Sequence, residues 1–261
     1  MEPTLRNSAR ERLEADELAL GVGIRQSRTV DIAAIMKACG YDWLFLDLEH
    51  NSMDLDTAVQ ISVASLAVGI APIVRVPAGQ FWLATRVLDG GALGIVMPHV
   101  DTAEQAREIV DRLRYPPHGH RSIAGGLPHF GYAPIATGPA CAAINAATLV
   151  VVMLETPTAI SNAAAIAAIP GIDSLLIGTS DLSIELGIPG QLAAPPIVDA
   201  YHTVVEACRA HGKFAGMGGV YEEGLMRRYV GMGMRLVLGG GDLGFMTAAA
   251  TERAKMLREC R

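Results

Sequence analysis

Eight short apolar runs, each followed by a stretch with helical character, constrain this chain more than any other feature. They fall at 18–24, 43–47, 72–75, 93–97, 149–154, 174–177, 214–217 and 236–238. After the first run, Ile32, Ile35, Met36 and Cys39 recur at helical spacing and stop at Gly40. Thr102 with Gln105 forms a capping-box pattern ahead of Ala106, Val110 and Leu113, and Thr156-Pro157 marks another helix start. Further helical stretches occupy about 54–68, 80–89, 157–168, 194–211, 222–230 and 242–258. Eight strand-then-helix units predict an α/β fold of the (β/α)8 TIM-barrel type, a single domain over 1–261 with an extra exposed helix in an N-terminal extension, 1–16. A dinucleotide-binding fold is excluded, because Gly21 and Gly23 lie inside the first strand and Arg25-Gln26 stand where the phosphate turn belongs. Residues 115–147, rich in Gly and Pro near their start, form the longest insertion, and long barrel loops are commonly functional.

The 261 residues suffice for one barrel-sized core, and 51% hydrophobic against 18% charged residues describes a packed chain rather than a disordered one. A net charge of -6 and few aromatic residues argue against nucleic acid as a partner. No membrane association is expected: the longest uncharged segment, 122–154, is broken by Gly125, Gly126, Pro128, Pro134, Pro139 and Asn145. With a charged N-terminus and four scattered cysteines read as reduced and mostly buried thiols, the chain is expected in the cytoplasm.

A parallel barrel carries its chemistry at the carboxyl ends of its strands, and polar residues gather there. The second run leads into Asp47, Glu49 and His50, the third ends at Arg75, the fifth stops before Glu155, and the sixth precedes Gly178-Thr179-Ser180-Asp181. Glu155 and Asp181 facing one another repel unless neutralised, and two carboxylates with waters and substrate oxygens suit magnesium or manganese. Taken singly, Asp181 also reads as a helix cap and Glu155 as a carboxylate stabilised by a helix dipole. Arg75 reads equally as a structural ion pair or as a donor fork for a carboxylate or enolate oxygen. His50 is, besides His99, the only histidine at a strand's carboxyl end, where it serves as a proton carrier or as a structural residue. Only three lysines occur, Lys37, Lys213 and Lys255, and none is expected at the barrel mouth, so imine chemistry is disfavoured and any carbonyl activation falls to a metal.

The runs FLDLEH, VRVP, RYPPHGHRS, VVMLETPTA and IGTSDLSIELG, in this order over about 18–250, resemble the HpcH/HpaI family of metal-dependent pyruvate aldolases, within the phosphoenolpyruvate/pyruvate barrel superfamily. The resemblance implies retro-aldol cleavage of a 4-hydroxy-2-oxo acid to pyruvate and an aldehyde through a metal-bound pyruvate enolate. Carried over by motif, the ligands of a divalent ion (magnesium, manganese or cobalt) fall on Glu155 and Asp181. The catalytic histidine falls on His50, its paired acid on Asp89 and the transition-state arginine on Arg75. The residue whose backbone meets the substrate carboxylate falls on Ser180, and the helix start at Gly178, Thr179 and Ser180 is expected to offer backbone donors to that carboxylate. Met153 stands where the family has a substrate-binding Gln, and Arg121-Ser122 replaces its Arg-Gly. The aldehyde half is expected to meet the 115–132 loop or a neighbouring subunit. A homotrimer or homohexamer is also implied, with the C-terminal helix packing across subunits. Alternative readings keep the metal enolate but change the reaction, to oxaloacetate decarboxylation, acyl-CoA cleavage or phosphoenolpyruvate mutation. Another makes the barrel a non-catalytic binding scaffold.

Overall fold

The computed structural model describes residues 4–260. Eight strands, β1 (Ala19–Ile24), β2 (Trp43–Asp47), β3 (Ala71–Arg75), β4 (Gly94–Met97), β5 (Leu149–Leu154), β6 (Ser174–Gly178), β7 (Phe214–Gly218) and β8 (Leu236–Gly241), pair in parallel and in sequence order. β8 pairs back onto β1 and closes the (β/α)8 barrel. One helix, α1 (Ser8–Glu14), precedes the barrel. The first four strands are followed by α2 (Ile32–Ala38), α3 (Leu55–Val68), α4 (Phe81–Asp89) and α5 (Ala103–Leu113). An additional helix, α6 (Thr137–Ala147), enters β5, which is followed by α7 (Pro157–Ser161) and α8 (Ala163–Ala167). Then come α9 (Thr179–Glu185), α10 (Pro195–His211), α11 (Glu223–Met232) and α12 (Asp242–Glu259). The stretch expected to be one helix over 157–168 is split at Asn162, whose side-chain amide donates to the Asp101 carbonyl at 2.8 Å. The Thr102–Gln105 capping box and the Thr156 cap form as expected.

Strand alternation sorts the core into two layers. Trp43, Phe45, Ile73, Val96, Val151, Met153 and Leu176 fill the barrel interior, while Leu44, Leu46, Val74, Ile95, Val150 and Val152 face the helices. The largest interior side chain, Trp43, lies over Gly21, where an added Cβ would come within 2.1 Å of the indole ring. Its indole N–H donates to the Ala19 carbonyl at 3.1 Å, so the polar end of the ring is satisfied inside the barrel.

Two expectations change at the amino-terminal end of the barrel. The extension is not simply an exposed helix: Ala9 and Leu13 of α1 belong to the same buried cluster as the barrel interior and close its floor. Asn7 caps α1 and donates to the carbonyls of Leu93 and Ala147 at 3.0 and 2.8 Å, tying the helix to the starts of β4 and β5. The 115–147 insertion also sits at this end, because α5 runs back from the mouth before the insertion begins. Arg114 donates to Gly171 and Asp173, next to the start of β6, and Tyr115, Leu127 and Ile144 form a small core of their own. The loop therefore does not meet the mouth of its own barrel. Lys213 is likewise at the floor, donating to the Ile172 carbonyl at 2.8 Å. All four cysteines are free, but only Cys208 is buried, so the expectation of mostly buried thiols fails. No helix among the described residues is long and apolar enough to cross a membrane.

Candidate active site

Pairing register builds one wall of the mouth. Asp47 and Arg75 are direct partners across β2 and β3, and both point inward, two residues beyond Phe45 and Ile73. Arg75 donates from Nε to Asp47 Oδ1 at 2.9 Å and from Nη2 to Oδ2 at 2.6 Å, a bidentate pair buried in the barrel. Burial opposes ionisation of Asp47, but the Arg75 fork and the N–H groups of Glu49 and His50 outweigh it and hold the carboxyl below its usual range. Arg75 Nη1 also lies 3.2 Å from Glu49 Oε2, without hydrogen-bond geometry, and that buried oxygen has no partner. The half-exposed His50 ring approaches the same oxygen with Nε2 at 3.6 Å.

Opposite stands Glu155, one residue beyond the pairing of Leu154 with Ile177, which brings it against Gly178. An added Cβ on Gly178 would lie 2.6 Å from both Cγ and Oε1 of Glu155, so the missing side chain is the space the carboxylate occupies. Oε2 accepts the His99 backbone N–H at 2.8 Å, and the His99 ring Nδ1 is 3.2 Å away. His99 adopts φ 56°, a left-handed conformation uncommon outside glycine, and this geometry accompanies the N–H contact to Glu155. Burial pushes the Glu155 carboxyl above its ordinary value, the His99 contacts lower it, and Asp181 repels it further, with a net upward shift.

Asp181 is not a helix cap, since α9 is capped at Gly178 and Asp181 stands inside its first turn. The mouth therefore holds four carboxylates, Asp47, Glu49, Glu155 and Asp181, against the guanidinium groups of Arg75 and Arg25, the latter 3.6 Å from Asp47 Oδ2. Two uncompensated negative charges and all-oxygen donors fit a hard divalent cation. Among the described residues no set of three or more acids, histidines or cysteines is arranged to hold a metal, so Glu155 and Asp181 would be its protein ligands.

The remaining sequence-derived positions divide. Met153 faces inward two residues before Glu155 and is part of the apolar floor beneath the site. Thr179 turns its hydroxyl to Tyr201 at 2.7 Å and offers the mouth only backbone, whereas Ser180 is exposed beside Gly219. Asp89 is not brought to His50: it ends α4 at the amino-terminal side of the barrel and accepts from Arg121 Nη2 at 2.6 Å. Within one chain the acid beside His50 is Glu49. His99 was visible in the sequence as a histidine at a strand's end, but its contact with Glu155 depends on the left-handed backbone that no spacing announces.

The chain as a whole is similar to known proteins. A family model described as HpcH/HpaI aldolase/citrate lyase matches residues 25–246. Among curated relatives, "4-hydroxy-4-methyl-2-oxoglutarate aldolase tasA" of Hapsidospora irregularis is 38% identical over 91% of this chain and 89% of its own. A second, "4-hydroxy-4-methyl-2-oxoglutarate aldolase cghB" of Chaetomium globosum, is 35% identical over 95% of this chain and 94% of its own. The solved HpcH/HpaI aldolase of Desulfitobacterium hafniense superimposes with a TM-score of 0.90 at 26% identity, covering 96% of each chain. The family model's match over most of the chain, the near full-length similarity to these relatives and the shared fold agree, and the chain belongs to the HpcH/HpaI aldolase/citrate lyase family.

Proposed function

We propose that this protein is a divalent-metal-dependent aldolase that cleaves, or forms, a 4-hydroxy-2-oxo acid with pyruvate as one product. The observation that carries this reading is the buried Glu155 carboxylate, seated against Gly178 and repelled by Asp181 across from Arg75. A cation bound by Glu155 and Asp181 would supply Lewis acidity to the 2-oxo group. The protein's own residues do the rest. Arg75 spends two of its five N–H donors on Asp47 and keeps others for the oxygen on which enolate charge develops. The first turn of α9, Gly178 to Ser180, has N–H groups free of intrahelical acceptors and suited to the substrate carboxylate. His50, beside Glu49, accepts the C4 hydroxyl proton as the C3–C4 bond breaks. Met153 leaves the substrate without the hydrogen bond that a Gln at this position would give.

The names of the two fungal relatives point to a dicarboxylate substrate with a tertiary C4 alcohol. Its second fragment would be a keto acid rather than an aldehyde. The trimeric or hexameric assembly belongs to the same reading: α12 buries only Asp242 among its eighteen residues and presents Leu243, Met246, Met256 and Leu257 to solvent, a face suited to another copy. Asp89 keeps its implied place beside His50 only if the assembly brings it from a second copy.

The test is pyruvate release from a panel of 4-hydroxy-2-oxo acids and oxaloacetate, using protein stripped by chelator and then given magnesium, manganese or cobalt. Release restored by metal is expected. No release with any metal overturns the reading, and release from oxaloacetate alone replaces it with decarboxylation.

A further inference from the structure

A cavity of about 430 Å³ opens beside the mouth between β1 and β8, lined by Phe45, Leu238 and Tyr221, by the ring of Phe245 and by the side-chain-free run Gly239 to Gly241. Its only cation is Arg25. The backbone of Arg25 is fixed on both sides: its N–H donates to Asp242 Oδ1 at 3.0 Å, and its carbonyl accepts from Arg28 Nη1 at 2.7 Å. From that fixed point the side chain turns over the mouth, since the atom it approaches, Asp47 Oδ2, is fully buried in the barrel. At 3.6 Å the contact is longer than a hydrogen bond, and Asp47 is already held by the Arg75 fork. The acid that lines the cavity itself, Asp242, is saturated by the N–H groups of Arg25, Gln26, Ser27 and Leu243. A half-exposed guanidinium with unspent donors thus stands at the boundary between the candidate active site and an otherwise apolar cavity.

We propose that Arg25 selects the second fragment of the substrate by pairing with a carboxylate that this fragment carries, while Phe45, Leu238 and Tyr221 enclose its carbon skeleton. This inference rests on the aldolase reading and names its substrate class: a 4-hydroxy-2-oxo acid with a second carboxylate on the C4 side. In the cleavage step the C3–C4 bond breaks and its electron pair stays on C3, while the C4 hydroxyl loses its proton and becomes a carbonyl. Reprotonation at C3 gives pyruvate. When C4 carries a methyl group and a carboxylate, the other product is also pyruvate, and no oxidant or reductant is consumed. Arg25 is therefore a specificity residue that touches the distal carboxylate, apart from the groups that move the proton.

The experiment measures kcat/KM for 4-hydroxy-4-methyl-2-oxoglutarate and for 4-hydroxy-2-oxopentanoate, whose C4 side is uncharged, in the metal-loaded wild type and in Arg25→Ala, Arg25→Gln and Arg25→Lys. The wild type is expected to prefer the dicarboxylate. In Arg25→Ala and Arg25→Gln the ratio of the two values should fall about tenfold to hundredfold, chiefly through KM for the dicarboxylate, as for loss of one charge-assisted pair. Arg25→Lys should recover part of the ratio. An unchanged ratio in both neutral variants, or a wild type that prefers the uncharged substrate, overturns the role of Arg25 and leaves the aldolase reading standing. No pyruvate from either substrate in the wild type overturns both.

Discussion

Gly178 contributes to the site by what it lacks. Its position on β6 faces Glu155 across the strand pair, and the carboxylate has no room to retreat because Oε2 is held by the His99 N–H. Gly178→Ala should leave the barrel folded but displace the carboxylate, lowering kcat/KM on the order of a hundredfold, as for other displacements near 1 Å. Pyruvate release compared with the melting temperature checks this, and an active variant of unchanged stability would show that Glu155 has freedom the packing denies it. At this scale the sequence was informative wherever a strand end carries the residue. Asp47, Arg75 and Glu155 follow from alternation, because an inward position two residues past an interior apolar side chain is itself inward. Asp89 escaped the same logic. It ends a helix, and helices in this fold return the chain to the floor, so its partner within the chain is Arg121 and the acid next to His50 is Glu49.

Among the elements, the eight strands were legible in the apolar runs to within a few residues, and α1 and α12 were legible as helices; what each of the two packs against was not, because helical spacing shows an apolar face without showing what covers it. α1 is short, and its attachment depends on Asn7, whose side chain caps the helix and satisfies two strand-start carbonyls. Asn7→Ala removes the cap and leaves both carbonyls short of a donor. A loss of about 2–4 kcal/mol in unfolding free energy is expected, with kcat unchanged because the floor is a barrel's length from the mouth. Denaturant unfolding alongside steady-state kinetics checks both halves of that statement. α12 makes the opposite case, a long helix whose apolar residues have no cover. Charges placed on its outer face, as in Met256→Glu with Leu257→Glu, should shift the protein from an assembly to a monomer in light scattering, and a mass already monomeric in the wild type would remove the trimer or hexamer from consideration.

For the whole molecule, the charge gathered at the mouth couples metal, pH and stability. Burial, with Asp181 adding to it against the opposing His99 contacts, raises the Glu155 carboxyl in the fold above its ordinary 4.5. The folded chain then holds a proton that the unfolded chain releases, so stability of the metal-free protein falls as pH rises from about 4.5 through the folded value. Asp47 has the opposite sign. Its carboxyl lies below the ordinary 3.8, and the stability it contributes is present above that value and lost as pH falls through the folded one. Chelator-treated protein should accordingly melt highest in weak acid and lose melting temperature toward neutrality. A divalent cation bound by Glu155 and Asp181, as proposed, would neutralise them, so saturation at a hundred times the dissociation constant, worth about 2.7 kcal/mol, should raise the melting temperature near pH 7 by roughly 5–10 °C. Glu155→Ala and Asp181→Ala should each abolish that rise together with metal-dependent turnover, while Glu155→Ala melts higher than the metal-free wild type because a buried, repelled charge is gone. A metal-induced rise that survives both substitutions would place the cation elsewhere and detach the carboxylate pair from the chemistry.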